Sequence, residues 1–333
     1  MNPMESAPVT DNRKICVILN EHSGDHPDKQ SRREQLTELF AQNGLEVELI
    51  GLTPDKPILD TARKAAGNGC TMIVAAGGDG TIGAVAAAAH EAGVPMGVIP
   101  QGTFNYFARG LDIPEEPEGA VRVLATGRLR EISLGEVNGE VFLNNASLGI
   151  YPLILRTREG VYQRWGRSRV AAYWSVILAL SGFRHPLRLR VEVDGHSSEM
   201  RTPLAFVANS AYQLEQFNLD GADAIRNGEF VLFTSKGASR WDLVRASFRL
   251  AIGKAQKGEE FGFVTGREIT LHADRPQALV ARDGEKELMQ TPIRFRRRSE
   301  PLRVMVPAEN VPAREDPELE RPADATLERA LPA

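Results

Sequence analysis

A doubly wound α/β domain followed by an antiparallel β-sandwich is the architecture this sequence predicts. Strand and helix signals alternate up to Arg130, the pattern of a parallel sheet covered on both faces. Beyond Arg130, three Asx-Gly pairs stand between strand-like runs, and each is a hairpin signal. The chain has 333 residues, too many for one compact core and suited to two.

Ile15 to Leu19 is a β-branched run that reads as the first strand, and a polar loop from Glu21 to Asp28 follows it. Gln30 to Asn43 sets Leu36, Leu39 and Phe40 on one helical face, with Gly44 placed to end the helix. Val47 to Ile50 is a second strand. Pro57 opens a helix as its first residue, running to about Ala66. Thr71 to Ala76 is continuously apolar, as a strand buried on both faces should be. An alanine-rich helix over Ile82 to Glu91 and a strand over Met96 to Ile99 complete the alternation.

In the second half, Asn138-Gly139, Asp194-Gly195 and Asp283-Gly284 mark hairpins within 136–142, 187–207 and 279–288. Glu229 to Phe233, Glu268 to Leu271 and Leu302 to Val306 add strands, so this half reads as a sandwich. Helices are expected over Arg167 to Leu180 and Arg240 to Lys257. The reading divides the chain into a disordered N-terminus (1–13), an α/β domain (14–130), a β-sandwich (131–306) and a disordered tail (307–333).

Composition narrows the function classes. A net charge of -4 and 6% aromatic residues argue against a nucleic-acid binder. Cys16 and Cys70 are the two cysteines, and both flank apolar runs, which predicts buried free thiols in a reducing compartment. The polar stretch from Met1 to Arg13 lacks the apolar segment of a secretory signal. The apolar run from Val170 to Leu180 is too short to span a bilayer. These features predict a cytoplasmic protein.

The sharpest motif is Gly77-Gly78-Asp79-Gly80-Thr81, between an apolar strand and a helix. Open α/β sheets bind ligands outside the carboxyl ends of their strands. Glycines there allow backbone N–H groups to approach phosphate oxygens, and the helix adds its positive end. Thr81 can cap the helix or donate to a phosphate. Asp79 would repel bound phosphates unless a metal or a proton transfer uses it. An ordinary tight turn with Asp79 as a helix cap explains the glycines alone equally well.

Pro100 to Arg109 leaves the next strand and should lie beside that loop. Gly102 permits close approach, Thr103 and Asn105 are neutral donors, and Arg109 suits a phosphate or a carboxylate, while a loop with a short helix packed by Phe104 and Phe107 is the preferred reading of this segment taken alone. The loop Asn20-Glu21-His22-Ser23-Gly24 follows the first strand, where Ser23 and Gly24 suit a phosphate or ribose. No Cys or His set has metal-site spacing. Asp283-Gly284-Glu285 occupies a hairpin turn, from which acids can point into an interdomain cleft, although a plain type I′ turn with solvated charges is the preferred reading of the tripeptide taken alone.

Together these segments, with Asn144 to Tyr151, resemble the diacylglycerol kinase catalytic domain, and especially soluble bacterial lipid kinases related to sphingosine kinases and more distantly to NAD kinases. The likeness runs from about Ile15 to Val306. It implies a nucleotide-binding α/β domain, a C-terminal β-sandwich and an active site between them. It implies ATP and Mg²⁺ as cofactors and a lipid hydroxyl, of diacylglycerol or a related lipid, as acceptor. Carried onto this chain, the cofactor-binding positions are Asn20, Ser23, Gly77, Gly78, Gly80, Thr81, Gly102, Thr103 and Asn105. The catalytic positions are Asp79, Asp283 and Glu285, with Asp79 and Glu285 also at the metal; the choice of base among the three stays open.

The chain departs from the family pattern at Glu21, Tyr106, Ser133 and Asn227, where a proline and three acids are usual. The last three bear on an accessory metal site. The expected partner is a lipid met transiently at the inner face of a membrane, with no nucleic acid, and a homodimer is left open. Two basic stretches could meet such a surface. One is the helix with Arg245, Arg249, Lys254 and Lys257; the other holds Arg164, Arg167 and Arg169. An ordinary core-facing helix is the preferred reading of each. An NAD kinase-like activity and a catalytically silent nucleotide- or lipid-binding module are the alternatives.

Overall fold

The computed structural model describes residues 14–21, 29–53, 56–150, 152, 186–235 and 261–308. Ser23, both basic stretches, the helices expected over 167–180 and 240–257, and the two terminal segments lie outside the described residues, apart from Pro307 and Ala308.

The first domain comprises β1 (Ile15–Leu19), α1 (Lys29–Gln42), β2 (Val47–Gly51), α2 (Ile58–Gly67), β3 (Met72–Gly77), α3 (Asp79–Ala92), β4 (Met96–Pro100), α4 (Tyr106–Arg109), α5 (Pro117–Thr126) and β5 (Arg128–Ile132). The strands β1, β3 and β4 are buried along their whole length, which is why they read as unbroken apolar runs. Leu36, Leu39 and Phe40 bury one stripe of α1 against them. Gly44, at φ 68°, ends α1 as expected, and the Leu45 N–H reaches back to the Phe40 carbonyl.

The second half holds β6 (Gly135–Val137), β7 (Glu140–Phe142), β8 (Asn145–Gly149), β9 (Leu187–Val193), β10 (His196–Thr202), β11 (Leu204–Ala208), β12 (Phe230–Ser235), β13 (Phe261–Gly266), β14 (Ile269–Ala273), β15 (Gln277–Arg282), β16 (Glu285–Gln290), β17 (Ile293–Arg297) and β18 (Leu302–Val306). Two antiparallel sheets, β10-β9-β14-β17-β6-β7 and β13-β12-β11-β8-β15-β16, share one apolar core. At its centre Phe142 meets Phe230 at 5.8 Å and Phe295 edge-on at 6.1 Å. Burying each such ring is worth about 1.5–3 kcal/mol.

All three Asx-Gly pairs form hairpin turns with both central residues at positive φ, from 46° to 95°. In each, the Asx side chain also grips a neighbouring strand. Asn138 accepts from the Arg294 N–H, Asp194 from the N–H groups of Arg267 and Glu268, and Asp283 from those of Leu143, Asn144 and Asn145.

Three findings correct the sequence reading. The helix expected from Ile82 begins at Asp79, so Asp79, Gly80 and Thr81 form its first turn rather than a loop. Pro57 precedes α2 as its cap instead of opening it. Leu302 to Val306 does not join the sandwich. It enters the first sheet, whose order is β2-β1-β3-β4-β18-β5, parallel to β4 and antiparallel to β5. The helix α5 also went unread, although Pro117 and the buried Ala120, Val121 and Leu124 carry its signal.

Candidate active site

The sheet order reverses between β1 and β3, and their carboxyl ends lie level because Leu19 pairs with Ala76. That crevice is where open α/β sheets hold ligands. Gly77 ends β3, and Gly78 turns the chain into α3 in extended conformation. No side chain at the N-cap Gly78 caps this helix, so the N–H groups of Gly80 and Thr81 in its first turn have no capping acceptor. A fourteen-residue helix with an uncapped N-terminus offers both donors and a positive dipole end to an anion.

The glycines are there for space. A Cβ on Gly77 would stand 2.6 Å from the Thr81 side chain, and one on Gly102 would stand 2.8 Å from Gly78 Cα. The loop after β4 therefore lies directly on the β3–α3 turn, and the Gln101 N–H bonds the Gly77 carbonyl at 2.8 Å.

The structure redistributes the predicted polar roles. Thr81 is buried, and its Oγ1 accepts from Asn20 Nδ2 at 3.0 Å, which ties the ends of β1 and α3 together. Asn105 is buried at φ 50°. Its amide bonds the Gly102 N–H and carbonyl and the Glu115 carboxylate, so it braces the loop from within. Arg109 pairs with Glu115 at 2.8–2.9 Å, the carboxylate alternative. Sequence reasoning missed Glu115; its place six residues after Arg109 was the available signal. Thr103 stays exposed beside the turn.

The acids come from both domains. Asp79 is half-buried, and its Oδ1 lies 3.5 Å from the Phe107 N–H. Burial pushes its carboxyl up, and the N–H groups of Phe107, Asn105 and Tyr106 act in the opposite sense. Glu285 is exposed on the β15–β16 hairpin, and its Oε1 lies over Gly80, 3.5 Å from where a Cβ would stand. Two carboxylates thus converge on the first turn of α3.

Asp283 does not join them as a free acid. Both its oxygens accept backbone N–H groups, from Leu143 at 2.6 Å, Asn144 at 2.8 Å and Asn145 at 3.0 Å. Burial raises its carboxyl too, against those bonds and Arg282. Its role is to position the hairpin that carries Glu285. Sequence reasoning gave it as a candidate base because a hairpin turn does not reveal which strand its side chain holds.

Ser133 and Gly228, at or beside two of the positions where acids were expected, meet at Arg297. Its guanidinium donates to Ser133 Oγ at 3.3 Å, to the Gly228 carbonyl at 2.7 Å and to the Glu229 carbonyl at 3.0 Å. Among the described residues, no three His, Cys, Asp or Glu side chains are grouped to hold a metal ion.

A glycine turn at a sheet's switch point, faced by an acid from a β-sandwich, defines the two-domain class of diacylglycerol and NAD kinase-like folds. Residues 14–137 match the diacylglycerol kinase catalytic domain, and residues 157–306 match the YegS C-terminal NAD kinase beta sandwich-like domain. The chain thus carries a diacylglycerol kinase catalytic domain followed by a YegS-type C-terminal domain.

It is 28% identical over 285 residues to a diacylglycerol kinase of Bacillus subtilis, covering 82% of this chain and 90% of that one. It is 26% identical to an uncharacterized protein of Synechocystis, covering 77% of this chain and 59% of that one. A crystal structure of a diacylglycerol kinase from Bacillus anthracis, 17% identical, covers 91% of this chain and all of its own with a TM-score of 0.64, which shows the shared fold. Among the described residues, no helix is long and apolar enough to cross a membrane.

Proposed function

We propose that this protein transfers the γ-phosphoryl group of ATP to a lipid hydroxyl, of diacylglycerol or a related lipid. The observation that carries this reading is the convergence of Asp79 and Glu285, from two domains, on the uncapped first turn of α3. Phosphoryl transfer needs positioning and charge stabilisation more than covalent chemistry.

The N–H groups of Asp79, Gly80 and Thr81 bind phosphate oxygens. Gly102, pressed on Gly78, keeps the loop from widening. Asp79 accepts the acceptor hydroxyl's proton, since burial raises its affinity for one. Glu285, exposed and without the backbone bonds that engage Asp283, is the carboxylate available to a cation. Two carboxylates without nitrogen or sulfur ligands suit Mg²⁺, which keeps waters and draws further ligands from phosphates. Held at Glu285, it would neutralise phosphate charge. The names borne by relatives in this family support the choice of a lipid acceptor.

Incubation with labelled ATP, Mg²⁺ and a total lipid extract, beside a parallel assay with NAD, tests the assignment. Labelled lipid is the expected product, and Asp79→Asn should lower its formation at least about 100-fold. Unchanged transfer by that variant, or label in NAD alone, would overturn it.

A further inference from the structure

Beside Asp79 stands a set of aromatic rings that the proposed phosphate contacts do not use. Phe104 is 47% exposed, although a phenyl ring in water is unfavourable. It stacks on Tyr106 with centroids 5.4 Å apart and planes 6° from parallel. Tyr106 in turn leans on Phe217 at 6.1 Å. Phe104 and Tyr106 flank the start of α4, whose N–H groups face the Asp79 carboxylate. Phe217 comes from the second domain, where it ends the helix Ala211–Gln216. The rings therefore bridge the domains and lead away from the proposed base.

Both walls of this strip are held in place. Asn105 locks the first through Gly102 and Glu115. In the second, Ser210 caps the helix and Gln213 bonds Asn145, whose own N–H goes to Asp283 beside Glu285. The strip is also neutral. Arg109, the cation of α4, is engaged by Glu115. No charge on the strip itself can recognise an anionic headgroup, so its complement is apolar.

We propose that Phe104, Tyr106 and Phe217 seat the apolar stem of the acceptor, so that this chain selects long-chain lipid alcohols over short-chain, water-soluble ones. The proposal rests on the lipid-kinase reading: an acceptor hydroxyl at Asp79 sends its substituent along these rings. Aromatic faces receive acyl chains and glycerol carbons through area and dispersion rather than hydrogen bonds.

The test compares kcat/KM for dioleoylglycerol with that for dihexanoylglycerol in mixed micelles, in the intact protein and in Phe104→Ala, Tyr106→Ala and Phe217→Ala. Binding of a fluorescent long-chain diacylglycerol, which needs no catalysis, is measured alongside. Each truncation should lower the long-to-short ratio and weaken probe binding, each by about tenfold, the scale of one lost aromatic contact. An unchanged ratio, or unchanged probe binding in Phe104→Ala and Phe217→Ala, would overturn the proposal. Weakened probe binding in a protein that phosphorylates no lipid would instead overturn the kinase reading and leave the strip in place.

Discussion

At Asp79, opposing electrostatic demands meet. Burial resists its charge, while the N–H groups of Phe107, Asn105 and Tyr106 favour it. The net direction is upward, so the folded protein holds the Asp79 proton at a pH where the unfolded chain has released it. The unfolded state then binds fewer protons, and stability falls as pH rises through the raised value. Asp79→Asn should remove that loss. The variant should melt higher than the parent at neutral pH, with the gap closing below the ordinary aspartate range near 3.8. Thermal melts from acid to neutral pH measure it, and a pH-independent gap would refute the assignment. Asp283 offers the contrast of a carboxylate spent on structure. Replacing it by alanine strips three N–H groups of their acceptor. The cost should be about 2 kcal/mol or more, read by chemical denaturation, together with weaker turnover because Glu285 is no longer held over Gly80.

Close backbone approach does comparable work at the level of the elements. Gly102→Ala should wedge the β4–α4 loop off the β3–α3 turn, since its Cβ would stand 2.8 Å from Gly78 Cα. Overpacking of this kind costs about 1–3 kcal/mol, and we expect nucleotide affinity to fall with stability. Titration with ATP, read by calorimetry, would reveal it. The elements themselves were largely legible. Apolar runs identified β1, β3 and β4, and Asx-Gly pairs located all three hairpin turns, because those signals are local. The start of α3 was misread because Gly78 and Gly80 resemble loop, yet an uncapped helix tolerates glycine in its first turn. In the candidate site, the placement of Gly77–Thr81 between a strand and a helix was legible. The bracing role of Asp283 was not, since its partners Leu143, Asn144 and Asn145 stand far off in sequence, and that of Asn105 was hidden by its left-handed backbone, which turns its amide back onto Gly102 and Glu115. The strand β18 was recognised as a strand and assigned to the wrong sheet. Its alternating Leu302, Arg303 and Val304 state that one face is covered, not by which neighbour.

Over the whole molecule, β18 makes the two domains dependent on each other. It lies between β4 and β5 inside the first sheet, while the chain leading to it runs through the sandwich. A protein ending before Leu302 should lose the cooperative melt of the α/β domain as well as its last strand, because β5 would lose its partner. Circular dichroism melts of that truncation check this, and an unchanged transition would show that β18 is dispensable. The same strand bears on biosynthesis. A ribosome releases the first domain's sequence well before β18, yet the sheet lacks an inner member until residues 302–306 emerge. Nascent chains should therefore carry a sheet with β4 as an open edge until that segment is made.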